Sequence, residues 1–301
     1  MKTVSQKQST YVRKDIQQEI TDKIIAQLEA GTIPWKKPFA GPDHTILGLP
    51  YNFTTDNKYR GINILLLWGA SLEKEYQSNE WASFKQWNAK GESVRKGENG
   101  HTIAYYDNII KEVDGEIEKI PFLKVSKVFN RCQLASYEPV QQEYVMPDNL
   151  VEKLDNIEDF ISNTKAIVET GSHEAYYTRL DDKIVMPKPE TFIDTDYNTA
   201  TENYYSVLFH ELTHWTGNVN RLDRINHKRF GDGNYAREEL VAELGAAFLG
   251  ASFEIISAEP INSAAYIDHW LKVLKDDKQI IFTAASHASK AVDYLYELQP
   301  K

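Results

Sequence analysis

Cysteine is nearly absent: Cys132 is the single one in 301 residues. That excludes an intrachain disulfide, Cys-based zinc knuckles and iron–sulfur clusters, and a cytoplasmic setting is expected. Long apolar runs are missing too. The longest, residues 62–70, is interrupted by Asn63 and is far too short to cross a bilayer, so no membrane partner is expected. The first twenty residues alternate charged and polar groups without the apolar core of a secretion signal. No internal repeat and no low-complexity tract is found. Apolar and charged shares of 42% and 26% match a globular chain, which sets long disorder aside. The net charge of −10 is also missing from the first half, where 19 Lys and Arg over residues 1–140 face 17 Asp and Glu. Residues 141–301 carry 15 against 27. Only the first half suits a polyanion.

What is present reads as an α+β chain of two domains. The four-residue spacing of Ile16, Ile20, Ile24 and Leu28, stopped by Gly31 and Pro34, predicts an amphipathic helix over about 11–30. Short helices are expected over 61–68 and 81–90, the second closed by Gly91. From His101 onward β-branched and aromatic residues predict strands over 103–110 and 122–129, with a turn at Asp114-Gly115. Pro139, Pro147 and Gln141-Gln142 mark a linker over 137–148, which gives domains 1–140 and 148–301. The second domain opens with a helix from an Asp148 cap to about 163. Strands over 165–169, 175–179 and 183–186 follow, then helices over about 200–216, 235–250, 263–279 and 283–297. The second domain is therefore mostly helical with a small sheet.

The sharpest chemical signal is His210-Glu211-Leu212-Thr213-His214. Residues four apart share a helix face, so both imidazoles can bind one zinc ion, or another divalent metal. Glu211, directly after the first ligand, can take the proton of a water held there. A catalytic site needs a third protein ligand, best sought on the next helix, where Glu239 and Glu243 share a face. One can ligate while the other accepts the N–H of a ligating imidazole. Composition leaves the two open. His227, Tyr235 and Arg237 are candidate oxyanion stabilisers, and His269 and His287 read as structural or surface residues. An edge strand that pairs with an extended peptide is expected at 175–179 or 183–186.

In the first half aromatic and basic residues interleave: Trp35-Lys36-Lys37, Lys58-Tyr59-Arg60, Trp81, Phe84-Lys85-Gln86-Trp87 and Arg95-Lys96. Single-stranded nucleic acid is bound by such a mixture, rings stacking on bases while cations follow phosphates. Trp35, Lys36, Lys37, Tyr59, Arg60, Lys85, Trp87, Arg95 and Lys96 are the candidates, whereas Trp68 and Trp81 read as core.

Two resemblances rest on these residues. The H-E-x-x-H helix followed by E-x-x-x-E resembles the gluzincin metallopeptidases. That resemblance implies His210, His214 and Glu239 as ligands, Glu211 as general base and Glu243 behind a histidine. The longer gap between motifs here keeps Glu239 and Glu243 both in play. Residues 25–38 carry Ile25-x-x-Leu28-Glu29-x-Gly31-x-x-Pro34-Trp35-x-x-Pro38. Tyr59-Arg60-Gly61-Ile62-Asn63, Trp81-Ala82-Ser83-Phe84-Lys85-Gln86 and Val94-Arg95-Lys96-Gly97-Glu98-Asn99-Gly100 follow. With Leu208–Gly217, Arg229-Phe230-Gly231 and Tyr235–Leu249, these blocks resemble the ArdC-type antirestriction proteins over nearly the whole chain. The resemblance implies a single-stranded-DNA-binding domain joined to a zincin-like metallopeptidase domain, in a protein of a conjugative element that meets DNA-bound proteins or host restriction enzymes. Phe39, where the family often has Trp, and Arg131-Cys132 after Asn130 depart from it. The alternatives are a DNA-coating protein with a structural or vestigial metal site, and a general metallopeptidase that binds no DNA.

Overall fold

The computed structural model describes residues 15–31, 33–35, 48–113, 116–139, 154–195, 198–225, 233–255 and 264–300. The Asp148 cap, the Asp114-Gly115 turn, most of the expected linker, Lys36, Lys37, Phe39, His227 and the Arg229-Phe230-Gly231 block lie outside them.

The first half begins with α1 (Ile16–Glu29), started by the Asp15 carboxylate, which accepts from Gln18 N. Strand β1 (Tyr51–Asn52) and α2 (Ile62–Lys74) follow. Buried Leu65, Leu66, Leu67 and Trp68 place α2 in the core, and it runs a turn and a half past the expected end at 68. The helix expected from Trp81 splits in two: β2 (Glu80–Ala82), then α3 (Phe84–Ala89). Ser83 and Gln86 form a reciprocal capping box, so α3 starts after Ser83 and leaves Trp81 extended. β3 (His101–Val113) and β4 (Glu116–Asn130) make one long antiparallel hairpin, closing a sheet of order β1-β2-β4-β3.

The second half contains α4 (Asp155–Thr164), then β5 (Ile167–Ser172), β6 (Tyr176–Thr178) and β7 (Lys183–Pro187) in the order β5-β7-β6. Four helices complete it: α5 (Ala200–Thr216), α6 (Gly233–Ser252), α7 (Ala264–Asp276) and α8 (Ile280–Glu297). With eight helices and two mixed sheets among the described residues, the fold is α+β. No described helix is long and apolar enough to cross a membrane.

The largest apolar core runs through both halves, joining Ile24 and Leu28 of α1 to Leu274, Ile281 and Leu295 of the last two helices. Trp68 of α2 meets Phe248 of α6 edge to face at 5.9 Å, a ring pair that contributes about 0.5–1.5 kcal/mol beyond its buried area. Polar links cross as well. Thr21 Oγ1 donates to the Lys278 carbonyl at 2.8 Å, and Gly61 N donates to Ser289 Oγ at 2.8 Å. Arg60 pairs with Asp293.

Candidate metal centre

α5 carries the His210 and His214 rings. Its start is set by a Thr199–Glu202 capping box, and Gly217 caps its end. Tyr204, Tyr205, Leu208, Phe209 and Leu212 bury the rest of its surface, fixing the helix so that both imidazoles point toward α6. α6 approaches closely because residue 245 is glycine: a Cβ there would lie 2.4 Å from Thr213 Cγ2. Thr213 is fully buried and donates to the Phe209 carbonyl at 2.8 Å, so it has nowhere to retreat.

At this contact His210 Nε2 and His214 Nε2 are 3.1 Å apart. Each is 3.6 Å from an oxygen of the Glu239 carboxylate. Ligands 2.0–2.1 Å from a tetrahedral ion stand about 3.3 Å from one another, so this triangle fits one small divalent cation. His210, His214 and Glu239 are the one such cluster among the described residues. Glu243, one turn further along α6, is not in it. Glu211, the residue after His210 on α5, is buried at 7% exposed, and its charge and that of Glu239 both act on the Tyr235 phenol.

The remaining nitrogen of His214 is held by a residue that sequence reasoning passed over. Glu238 Oε1 lies 3.2 Å from His214 Nδ1, in the place expected for Glu243. Adjacent helical residues diverge by about 100°, so Glu238 and Glu239 address opposite edges of one imidazole. Glu238 is in turn gripped by Arg224, whose Nε and Nη2 donate to its two oxygens at 2.8 and 2.9 Å. Arg224 Nη2 also donates to the Thr213 carbonyl at 2.7 Å. Arg224 and Glu238 are both buried, with side chains 5% exposed. Two adjacent glutamates were the visible signal for Glu238. Arg224 sits in a loop without a motif, folded back where a Cβ on Gly217 would strike Ile225 at 2.6 Å.

The electrostatics suit a cation. Burial opposes a charged His214 ring, but the Glu238 and Glu239 hydrogen bonds outweigh it and raise its pKa to about 10. Burial likewise opposes the Glu239 charge, and the two histidines reverse the balance, holding its carboxyl below the usual range. Tyr235 lies beside Glu239. Its phenol is pushed up to about 12, first by burial and then by Glu239, with a further push from Glu211. Of the other oxyanion candidates, Arg237 is turned toward Asp277 at 3.4 Å. His269 is exposed against Trp270, and His287 is half-buried with its pKa lowered by burial and by Arg224.

The small sheet packs on α5 through β6 and β7. Residues 183–186 are not an edge, because β7 is paired on both sides. Tyr176–Thr178 does form one. Arg221 holds this edge to the end of α5, donating to the Trp215 carbonyl at 2.6 Å and pairing with Asp182. Asn218 donates to Tyr177 Oη at 2.7 Å.

The seven nucleic-acid candidates among the described residues separate into three groups. Trp35 and Trp87 are 2% and 0% exposed, so neither ring face is open to a base. Trp87 instead packs on Phe53 at 4.8 Å and donates from Nε1 to the Phe129 carbonyl at 3.0 Å. Three more serve the fold. Tyr59 is half-buried against Asn52, and Arg60 is tied to Asp293. Arg95 donates to the Cys132 and Leu134 carbonyls at 2.6 and 3.2 Å. Lys85 and Lys96 are exposed.

Comparison with known proteins agrees with this architecture. Residues 14–129 match the N-terminal domain of anti-restriction factor ArdC, and residues 155–287 match a zincin-like metallopeptidase. The chain is 33% identical to the uncharacterized protein y4eC of Sinorhizobium fredii, over 95% of this chain and 92% of that one. It is 31% identical to the Escherichia coli DNA primase TraC over 96% of its own length, which spans 28% of the primase. The metal-free crystal structure of the antirestriction ArdC protein from plasmid R388 superimposes with a TM-score of 0.78 at 40% identity, covering 95% of this chain and 98% of that one. The Mn(II)-bound structure of the same protein gives 0.75 at 39% identity over the same shares. An H-E-x-x-H helix set against an acidic helix, joined through one core to an N-terminal ArdC domain, therefore places this chain in the ArdC antirestriction family.

Proposed function

We propose that this ArdC-like protein binds single-stranded DNA through its N-terminal half and carries a zinc-dependent metallopeptidase site in its C-terminal half, serving a mobile genetic element against host restriction. The observation that carries the reading is the His210–His214–Glu239 triangle, with Glu211 buried next along the helix from His210. A structural metal site has no use for that further carboxylate, which is not one of the three ligands. His210, His214 and Glu239 would hold the ion, which supplies Lewis-acid polarisation of a carbonyl and a hydroxide at neutral pH. Glu211 takes the proton from the attacking water and delivers it to the leaving amine. Glu238, locked by Arg224, fixes the His214 ring. The Tyr176–Thr178 edge takes an extended peptide by strand addition. Tyr235, whose phenol feels both Glu239 and Glu211, would steady a developing oxyanion.

DNA-bound proteins, host restriction enzymes among them, are the substrates this pairing suits, because bound DNA concentrates them at the site. The relatives named for antirestriction and for DNA priming support association with DNA. The test compares the full chain with Glu211→Gln in protein cleavage, with and without single-stranded DNA, and in protection of incoming DNA. The variant is expected to bind metal as before and to lose cleavage by about 10²–10⁴-fold. Undiminished protection by Glu211→Gln would leave a DNA-coating protein instead.

A further inference from the structure

We infer that single-stranded DNA is stacked on an aromatic face built by Phe84 and Phe129, with Lys85 and Lys127 as its phosphate contacts. This rests on the DNA-binding reading above and names residues for it. Phe84 is the first residue of α3 and is 52% exposed, a large apolar ring held in solvent. Its backbone is fixed by the Ser83–Gln86 capping box directly before it. Its ring meets Phe129 edge to face at 6.1 Å and 63°. Phe129 is fixed in turn, since β4 pairs it with Ala82 of β2 and its carbonyl accepts from Trp87.

The face is basic as well as aromatic. Lys127 lies two residues before Phe129 on β4, hence on the same side of the sheet. A Cβ added to Gly100 would lie 3.0 Å from both Lys127 Cβ and Phe129 Cζ, so the two side chains flank one bare stretch of backbone. Lys127 is exposed and its Nζ donates to Thr102 Oγ1 at 2.8 Å. Lys85 is exposed next to Phe84. A fixed, half-exposed ring with cations beside it is the chemistry of a stacking platform for unpaired bases. On the opposite side of the hairpin the exposed ring among the described residues is Tyr105 of β3, and Lys124 Nζ lies over its face, 5.5 Å from the centroid, where a base would have to stack.

Fluorescence anisotropy of a labelled oligothymidylate with the full chain tests the assignment. Phe84→Ala is expected to weaken binding about tenfold, and Phe84→Tyr to restore it. Lys127→Gln is expected to flatten the dependence of log affinity on log salt by about 0.7. Tyr105→Ala is expected to bind as the parent does. Thermal unfolding of each variant separates lost contact from lost fold. Parent protein that fails to bind the oligonucleotide would end the DNA-binding reading itself. Parent binding that survives Phe84→Ala and Lys127→Gln would overturn this surface alone, whether or not Tyr105→Ala loses it. Equal affinity for duplex would also overturn it, since paired bases offer no face to stack on.

Discussion

His210, His214 and Glu239 sit inside helices of 17 and 20 residues that pack on each other, whereas Phe84 opens a six-residue helix and Phe129 lies near the end of a strand. The difference lies in what holds each geometry. A metal triangle needs ligand atoms within a few tenths of an ångström, so its residues ride on long, buried elements whose positions the core dictates. A stacking surface tolerates looser geometry, because a base slides on a ring without losing much contact. It can therefore be built at the rim of a sheet. The two regions nonetheless share one apolar core, through Trp68 on Phe248 and through α1 against α7.

The comparison breaks most sharply at the metal centre. Glu239→Gln is expected to lower Mn(II) or Zn(II) affinity, measured by calorimetry, by more than about a hundredfold, beyond what outer partners supply. Glu238→Gln is expected to cost about 10–100-fold, because His214 keeps its Nε2 but loses its orientation. Glu238→Gln also leaves the buried Arg224 facing a neutral amide, so it should cost up to about 3–5 kcal/mol in urea unfolding. If Glu238→Gln matched the parent in both assays, Arg224 and Glu238 would hold nothing that the metal needs.

Legibility follows the same division. The H-E-x-x-H spacing and the acidic helix after it are local, periodic features, so His210, His214 and Glu211 could be named from order along the chain, while Glu239 and Glu243 stayed open until the helices were packed and Glu239 alone joined the two histidines. Glu238 escaped because helical face counting put Glu239 and Glu243 together and set their neighbour aside. Adjacency to a ligand, rather than a shared face, was the relevant relation. Arg224 and Gly245 escaped for a different reason: each matters through a partner on another element, Glu238 and Thr213. In the first half, aromatic and basic residues were visible, but sequence carries no signal for which side of a ring faces water. Trp87, among the most promising rings, became core because Phe53 covers it, and the less conspicuous Phe84 was left outside.

Two stability experiments sharpen the contrast between the halves. In the first half His101 is wedged against Tyr76 and Trp81, with Tyr76 Oη 3.0 Å from Nε2. Burial, helped by Lys23, lowers its pKa to about 4. A depressed folded value means that the unfolded chain takes up the proton first. The stability tied to the neutral ring is thus intact above about pH 6.5 and drains away as pH falls toward 4. Between pH 7.5 and 5.0 the parent should lose about 2 kcal/mol more than His101→Phe. Identical pH profiles would mean that the ring titrates freely. In the second half Gly245→Ala should cost about 1–3 kcal/mol at both pH values, by forcing α6 off Thr213. It should weaken metal binding in step, which a surface glycine would not.

The smallest effect bears most directly on what the rings of the first half are for. Trp87→Phe keeps an aromatic face but shrinks the buried ring and removes the Nε1 donor whose hydrogen bond the Phe129 carbonyl accepts. Were Trp87 a stacking residue, losing its larger ring would weaken single-stranded DNA binding while leaving the fold untouched. Buried as it is, the substitution should do the reverse. Stability should fall by about 1–3 kcal/mol for the lost hydrogen bond and the space the indole vacates, and oligonucleotide affinity should change less than about twofold. A modest affinity loss would still have meaning, because the Trp87 bond holds the backbone from which the Phe129 ring projects. In that case Phe84→Ala and Trp87→Phe would fail to add in the double variant, as expected for residues acting on one surface.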